Sequence, residues 1–326
     1  MIGIKYGTRF AVGALTTFVV MAQANELYPN RPLRFVVPAP PGGTVDLIAR
    51  LTAPRLSEQL GKPVVVDNRA GAGGVVGVDH VAKSKPDGYT LVLNSATPMV
   101  TAVSLNTTPY DLFRDLTPIT QVTTFDYVMS VNARSTIQSM QDLVQLARKD
   151  PGKLNYASAG IGSGQHMYVE LMRSAAGIQI QHIPYKGNAP AMTEVMAGRV
   201  DFMFYPMIGV TEREAQKQIR ILASTTAKRH PDTPQVPTMA ELGFPGFEEY
   251  VGPVGFVAPA GTPQAILDKL ATAIRGTLTK PAIEQRLKQL GSVVVASSPN
   301  EYRQWLRDDH ARWAQLIKTA NIKDQP

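Results

Sequence analysis

The 326-residue chain contains no cysteine. Thiol catalysis, thiolate metal sites and a disulfide scaffold are therefore excluded. Charge is sparse too: Asp, Glu, Lys and Arg make up 18% of the residues, against 44% hydrophobic ones. That balance is unlike a disordered or coiled-coil protein and supplies material for sizeable cores. At this length two domains are expected rather than one. The five histidines (His80, His166, His182, His230, His310) include no pair at metal-ligand spacing, and no metal or cofactor is assigned. The acidic doublets Glu248–Glu249 and Asp308–Asp309 are adjacent. On a regular element such side chains point apart and cannot act as a paired acid and base. The net charge of +7 invites a nucleic-acid partner. Yet no Lys/Arg run with interleaved aromatics occurs, and basic residues are scattered among acidic ones. The surplus suits a secreted protein with anionic ligands and no nucleic-acid partner.

Long apolar runs are also missing, with one exception. "FAVGALTTFVVM" follows Lys5 and Arg9 and precedes Ala22-Gln23-Ala24, a small-x-small site. This is the layout of an export signal, too short to span a bilayer comfortably. Residues 1–24 are read as a signal peptide cleaved after Ala24, rather than as an N-terminal membrane anchor, which makes the mature protein soluble outside the cytoplasmic membrane. Loss of Lys5 and Arg9 takes two charges from +7 and leaves +5.

What the sequence does have is strand-then-helix alternation. "LRFVVP" leads into a helix over 44–60, "LNYAS" into a helix over 165–176, and a further helix is predicted over 136–149. Two more are predicted after Thr262, read as an N-cap followed by Pro263 at the first helical position, and after Ser298-Pro299-Asn300-Glu301, read as a capping box with the same Pro. The alternation predicts an α/β fold with mostly parallel sheets. The last helix carries Tyr302, Trp305, Leu306, Trp313, Leu316 and Ile317 on one apolar face, and His310 is expected in solvent.

Two strand–loop–helix units stand out. In "FVVPAPPGGTVDLIARL" prolines stiffen a loop whose Gly42 and Gly43 leave the backbone open just before a helix. Helix N-termini at the carboxyl ends of strands are anion sites. Gly42, Gly43, Thr44 and Asp46 are thus candidate ligand contacts, with Asp46 able instead to cap the amides itself. "LNYASAGIGSGQHM" repeats the arrangement and offers Ser158, Gly160, Ser163 and His166. Ser95, ending "TLVLNS", and Tyr205, ending "VDFMFY", are candidates for the cleft wall or equally for interior packing. Ser163 lacks the G-x-S-x-G frame of a nucleophile elbow. Neither that loop nor "GAGGVVG" has the G-x-G-x-x-G register of a dinucleotide fold.

Taken together, "PGGTVD", "VVVDNRAGAGGVVG", "KPDGYTLVL", "LNYASAGIGSGQHM", "IPYKGNAPAMTEVMAGRVDFMF", "TPQVPTMAELGFPGF" and "VAPAGTP" resemble the extracytoplasmic receptors of the tripartite tricarboxylate transporter family, the Bug receptors. The likeness spans nearly the whole mature chain. It implies a two-lobed periplasmic binding protein, type II-like, with a ligand cleft between lobes and two connecting hinge strands. It also implies a small organic carboxylate as ligand, integral membrane permease subunits as partners, and no catalytic residue. Crossings near Asp126 and Val251 would make residues 25–126 plus 252–326 one lobe and 127–251 the other, in a monomer. Pro253 stands where the family often has Trp, which puts ligand specificity or hinge packing in doubt there. Two alternatives remain: a ligand-sensing receptor for a signalling kinase, and an exported hydrolase, for which Ser163 and His166 are poorly spaced.

Overall fold

The computed structural model describes residues 28–105, 108–207 and 209–322. The signal peptide expected over residues 1–24 and its expected cleavage site lie outside the described residues. Two sheets form two lobes. The first lobe opens with β1 (Leu33–Val37), α1 (Thr44–Leu60), β2 (Val64–Asn68), α2 (Val75–Ala82), β3 (Thr90–Ser95), α3 (Ala96–Ser104), α4 (Leu112–Asp115) and β4 (Leu116–Phe125). The second lobe follows with β5 (Tyr127–Asn132), α5 (Met140–Lys149), β6 (Asn155–Ser158), α6 (Gly164–Ala176), β7 (Gln181–Pro184), α7 (Asn188–Met196), β8 (Phe202–Pro206), α8 (Val210–Ala215) and β9 (Ile219–Ser224). The chain then returns to the first sheet with β10 (Gly252–Pro259), α9 (Gln264–Leu278), α10 (Pro281–Gln289), β11 (Ser292–Val294) and α11 (Pro299–Thr319).

The strand orders are β11-β4-β10-β3-β1-β2 and β7-β6-β8-β5-β9. Both sheets are mixed rather than mostly parallel. β1 pairs in parallel with β2 and β3, and β6 with β7 and β8, whereas β10 runs against β3 and β4, and β5 against β8 and β9. The cause is the crossing. Strands joined by helices end at the cleft, while a strand arriving from the other lobe begins there, so it enters its sheet reversed.

In each sheet the first strand of a helix-linked trio lies between the other two: β2-β1-β3 and β7-β6-β8. Chain direction across the sheet reverses there, and the loops leaving the central strand and its later neighbour part around a crevice. Phe35, Val36 and Val37 of β1 are fully buried, as a strand covered on both faces requires. α1 buries Val45, Ile48, Ala49, Thr52, Ala53 and Leu56, one face at helical spacing. A single hydrophobic cluster runs from the first sheet through Phe125 and Tyr127 into the second.

Several sequence expectations shift locally. α5 starts at Met140 rather than Thr136, because the Ser139 side chain takes the Asp142 N–H and fixes the start there. Thr262 does not cap α9: its hydroxyl donates to the Pro259 carbonyl at 2.7 Å. The Ser298 capping box of α11 is present. His310 is half-buried rather than solvated, with Nδ1 3.2 Å from both Ser104 Oγ and the Val100 carbonyl oxygen. Pro253 is buried on β10 where that strand pairs with β4 alone, since pairing with β3 begins at Val254. Its missing N–H leaves no β3 bond unmade there.

Candidate functional site

A cavity of about 550 Å³ lies between the lobes. Five helix N-termini border it: α1 through Gly43, Thr44 and Val45; α2 through Gly74 and Val75; α3 through Ser95; α6 through Ser163, Gly164 and Gln165; α7 through Gly187 and Asn188. First-turn amides have no intrahelical acceptor, and the helix dipoles put their positive ends here. Lys186 is the one charged residue in the lining, and it has no acidic partner among the described residues. The cavity is therefore electropositive without a dedicated arginine. Phe125 and Tyr127, on either side of the first crossing, supply aromatic wall.

The Pro38–Gly43 loop is held from below. Asp46, 1% exposed, accepts from the Gly42 N–H at 2.8 Å, Asn68 Nδ2 at 2.9 Å and Arg50 Nε at 2.9 Å. Burial pushes this carboxyl up, but the bonds from Arg50, Gly42 and Asn68 outweigh it and hold it below its ordinary value. Asp46 thus takes the capping role, and it spends itself on Gly42, leaving the amides of Gly43, Thr44 and Val45 without partners among the described residues. Gly42 needs its freedom, with φ +80°; Gly43 at φ −78° does not, and its bareness instead opens space.

The second loop is braced by stacked rings. Tyr156, His182 and His166 lie nearly parallel, with His182 4.8 Å and 4.5 Å from the other two. Ser158, fully buried, accepts from the Gly160 N–H at 3.0 Å and sits 2.6 Å from His182 Nε2. His166 Nδ1 accepts from the Gly162 N–H at 3.2 Å. Burial, aided by the Arg173 charge, lowers His166 to about 4; burial, with His166 nearby, lowers His182 to about 3. Both rings are neutral at pH 7 and serve the backbone. Ser163 caps α6 by accepting the His166 N–H. No hydrolase couple results: Ser163 meets the backbone of His166 rather than its ring, and the Ser158–His182 contact has no opening to the cavity.

Of the residues singled out from the sequence, Gly43, Thr44, Ser95, Gly160 and Ser163 line the cavity. Gly42, Asp46, Ser158 and His166 stand behind them. Tyr205 is 3% exposed in the second lobe's core and is not part of the lining; neither is Pro253. Sequence reasoning passed over Asn94, Tyr127, Lys186, Asn188 and the turn from Ala70 to Gly74. The turn sits in "RAGAGGVVG" and Lys186 in "IPYKGNAP", each a glycine-containing stretch after a strand, which was the available signal.

The lobes touch above the cavity. A Cβ on Gly73 would lie 2.8 Å from the Ile161 carbonyl oxygen, and one on Gly187 would lie 2.7 Å from the Pro40 ring. Thr101 Oγ1, 2.6 Å from the Gly162 carbonyl oxygen, adds a hydrogen bond between the lobes.

Residues 48–322 match the family described as the tripartite tricarboxylate transporter family receptor. The chain is 37% identical over 302 residues to protein BugT of Bordetella pertussis, covering 91% of this chain and 92% of that protein. Among solved structures it resembles Rpa4515 of R. palustris with adipate (TM-score 0.85, 35% identity, 91% of this chain and 99% of that one). It also resembles MatC of Rhodopseudomonas palustris with bound malate (TM-score 0.85, 28% identity, 89% of this chain and 100% of that one). It resembles the structure of periplasmic binding protein BugD as well (TM-score 0.86, 34% identity, 91% of this chain and 100% of that one). The chain belongs to the tripartite tricarboxylate transporter receptor family and is a Bug-type, two-lobed solute-binding receptor.

Proposed function

We propose that this receptor captures a small organic carboxylate in the periplasm, closes on it, and delivers it unchanged to the membrane permease subunits of a tripartite transporter. The supporting observation is the convergence of five helix N-termini on one cavity whose lining has one cation and no acid. Amide-to-carboxylate bonds are charge-assisted and contribute about 1.5–3 kcal/mol each. A few of them support micromolar binding, about −8 kcal/mol, after ordering costs. The adipate and malate held by two relatives fit the same chemistry.

In this reading Gly43, Thr44, Gly160 and Ser163 meet the carboxylate, while Asp46, Ser158 and His166 hold their loops. Residues 25–126 plus 252–326 move as one lobe against 127–251, after export and removal of residues 1–24. A thermal-shift screen against a carboxylate panel is the test. A ligand at 100 times its Kd adds about 2.7 kcal/mol of stability. Absence of any shift across aliphatic, aromatic, tricarboxylic and amino acids would count against carboxylate capture.

A further inference from the structure

We infer that Asp309 makes closure of the lobes a proton-linked step: the receptor takes up a proton at the lobe junction as it closes on a ligand and releases it as it opens. This rests on the capture reading above and goes further than it. Asp309 lies on α11, outside the ligand cavity, and is fully buried. Both its carboxyl oxygens are buried without a hydrogen-bond partner, and so are Tyr302 Oη and Trp313 Nε1. The three residues share one face of α11 at helical spacing. A carboxylate there has neither hydrogen bonds nor solvent to carry its charge, so the neutral acid is favoured. Arg312 stands 3.8 Å away, but its Nη1 donates to the Glu249 carbonyl oxygen, in the segment that returns to the first sheet.

Both lobes bury this acid. On the first-lobe side α11 packs on α3 and β4, and neither carries a titratable side chain. Nor does β10, where a Cβ on Gly255 would lie 2.4 Å from Tyr302 Oη. The second lobe supplies the rest. Trp313 stands edge-on to Tyr168 of α6 at 6.1 Å, and Tyr168 lies 4.6 Å from Tyr127 of β5. Met167 of α6 belongs to the same buried cluster as Tyr302 and Trp313. Tyr168 Oη donates to the Tyr250 carbonyl oxygen, which ties this cover to the second crossing. Burial first, and the Asp309 charge after it, raise the hydroxyls of Tyr127 and Tyr302; the same charge reaches Tyr168 and Tyr250. Asp126, at the first crossing, is a second acid facing Tyr168; burial raises it and His230 pulls it back.

Separation of the lobes draws Tyr127, Met167 and Tyr168 away from α11 and lets water reach the acid. Burial holds the Asp309 carboxyl at about 7 with the lobes together, against an ordinary 3.8. Hydration returns it toward that ordinary value, and at neutral pH the open form then gives up the proton. The sign follows from linkage. The closed form binds more protons between about pH 4 and about pH 7, so ligand affinity rises as pH falls through 7 and is level above it. The groups that hold the ligand play no part in this dependence.

The test counts protons by calorimetry on the mature protein. The probe is whichever of succinate, adipate, malate, citrate, benzoate and glutamate raises the melting temperature most. Each titration is run in two buffers of different ionisation enthalpy, MES and imidazole on the acid side. The wild type should take up more than about half a proton per ligand at about pH 6.5 and close to none at about pH 8.5, with Kd about fourfold higher at the second pH. Asp309→Asn has no proton to exchange: its uptake should vanish and its Kd should stay at the low-pH value throughout. Asp309→Leu gives the same readout if the asparagine variant does not fold. Protons exchanged by Asp126, His230 or the probe itself are common to wild type and variants and drop out of the difference. Binding by the wild type without proton uptake at about pH 6.5 overturns the inference and leaves carboxylate capture standing. Uptake that persists in either variant does the same. Failure of every acid to bind the wild type overturns the capture reading, and the linked proton with it.

Discussion

Thr101 Oγ1 donates to the carbonyl oxygen of Gly162 at 2.6 Å, joining α3 of the first lobe to the glycine loop of the second. The same hydroxyl also reaches the Thr97 carbonyl oxygen at 2.8 Å, so it is shared between its own helix and the opposite lobe. Thr101→Val keeps the shape and removes the donor. One neutral hydrogen bond is worth about 1 kcal/mol, so the Kd should rise about fivefold, read by calorimetry. An unchanged Kd would show that the contact is not part of the ligand-bound state.

Gly73→Ala addresses closure directly. Its Cβ would meet the Ile161 backbone oxygen at 2.8 Å, and φ at Gly73 is +63°. Backbone cannot step aside as a flexible side chain does, so the lobes should stay apart. Small-angle scattering should show wild type shrinking on ligand addition and the variant keeping its radius of gyration. Equal shrinkage in both proteins would refute a closed state built on this contact.

Gly43→Val separates seat from scaffold. At φ −78°, with only the Pro40 oxygen at 3.5 Å near its would-be Cβ, Gly43 tolerates a side chain. The ligand-free melting temperature should stay near wild type while the ligand-induced shift is lost. Gly42→Ala should do the reverse in part, costing about 1 kcal/mol of stability at φ +80°. Ser163→Ala should weaken binding and also cost about 1 kcal/mol, because the hydroxyl caps α6. A full ligand shift in Gly43→Val would reduce the loop to a corner.

Asp309 on α11 predicts a pH effect. Burial raises its carboxyl from an ordinary 3.8 to about 7, with the Arg312 charge 3.8 Å away and the Trp313 indole offsetting only part. The folded protein then holds a proton that the unfolded chain releases. Stability falls as pH rises from about 4 to about 7, and the loss is complete above that. Asp309→Asn should gain melting temperature over wild type across this window, with the largest gain above pH 7. His166 and His182, whose depressed values remove stability on the acid side, are common to both proteins and cancel in the difference. A gain independent of pH would assign the effect to packing.

The two strand–loop–helix units were legible because local chemistry writes them out. α1 begins after the glycine pair and ends at Gly61 in the left-handed region, as a strand, a bare loop and a periodic helix require. "GAGGVVG" was harder. Gly71, Gly73 and Gly74 all have positive φ, and Gly73 takes the opposite lobe's backbone. Its glycines answer to a tight turn and to closure, so no dinucleotide register exists to find. Asn94 and Lys186 each sit at or just beyond a strand end, like many other residues. Only the strand orders reveal that those ends share a cleft. Asp309 falls at helical spacing with Tyr302, Leu306 and Trp313, which a helical wheel shows. That this face is sealed depends on Tyr250, whose ring lies 4.2 Å from Trp313 and far from it in sequence.

The crossing at Asp126 places Phe125 and Tyr127, rings 5.4 Å apart, at once in the wall of the cavity and at the junction of the two lobes. If the lobes turn about that junction, as the proposed capture requires, a ligand pressing there would act on a short lever arm, and the contacts of Gly73 with Ile161 and Gly187 with Pro40 would move on a longer one. A small excess of ligand length would then be multiplied into a larger gap between the lobes. The proposed receptor would in that way convert molecular length into an angle, which a membrane partner facing both lobes could measure.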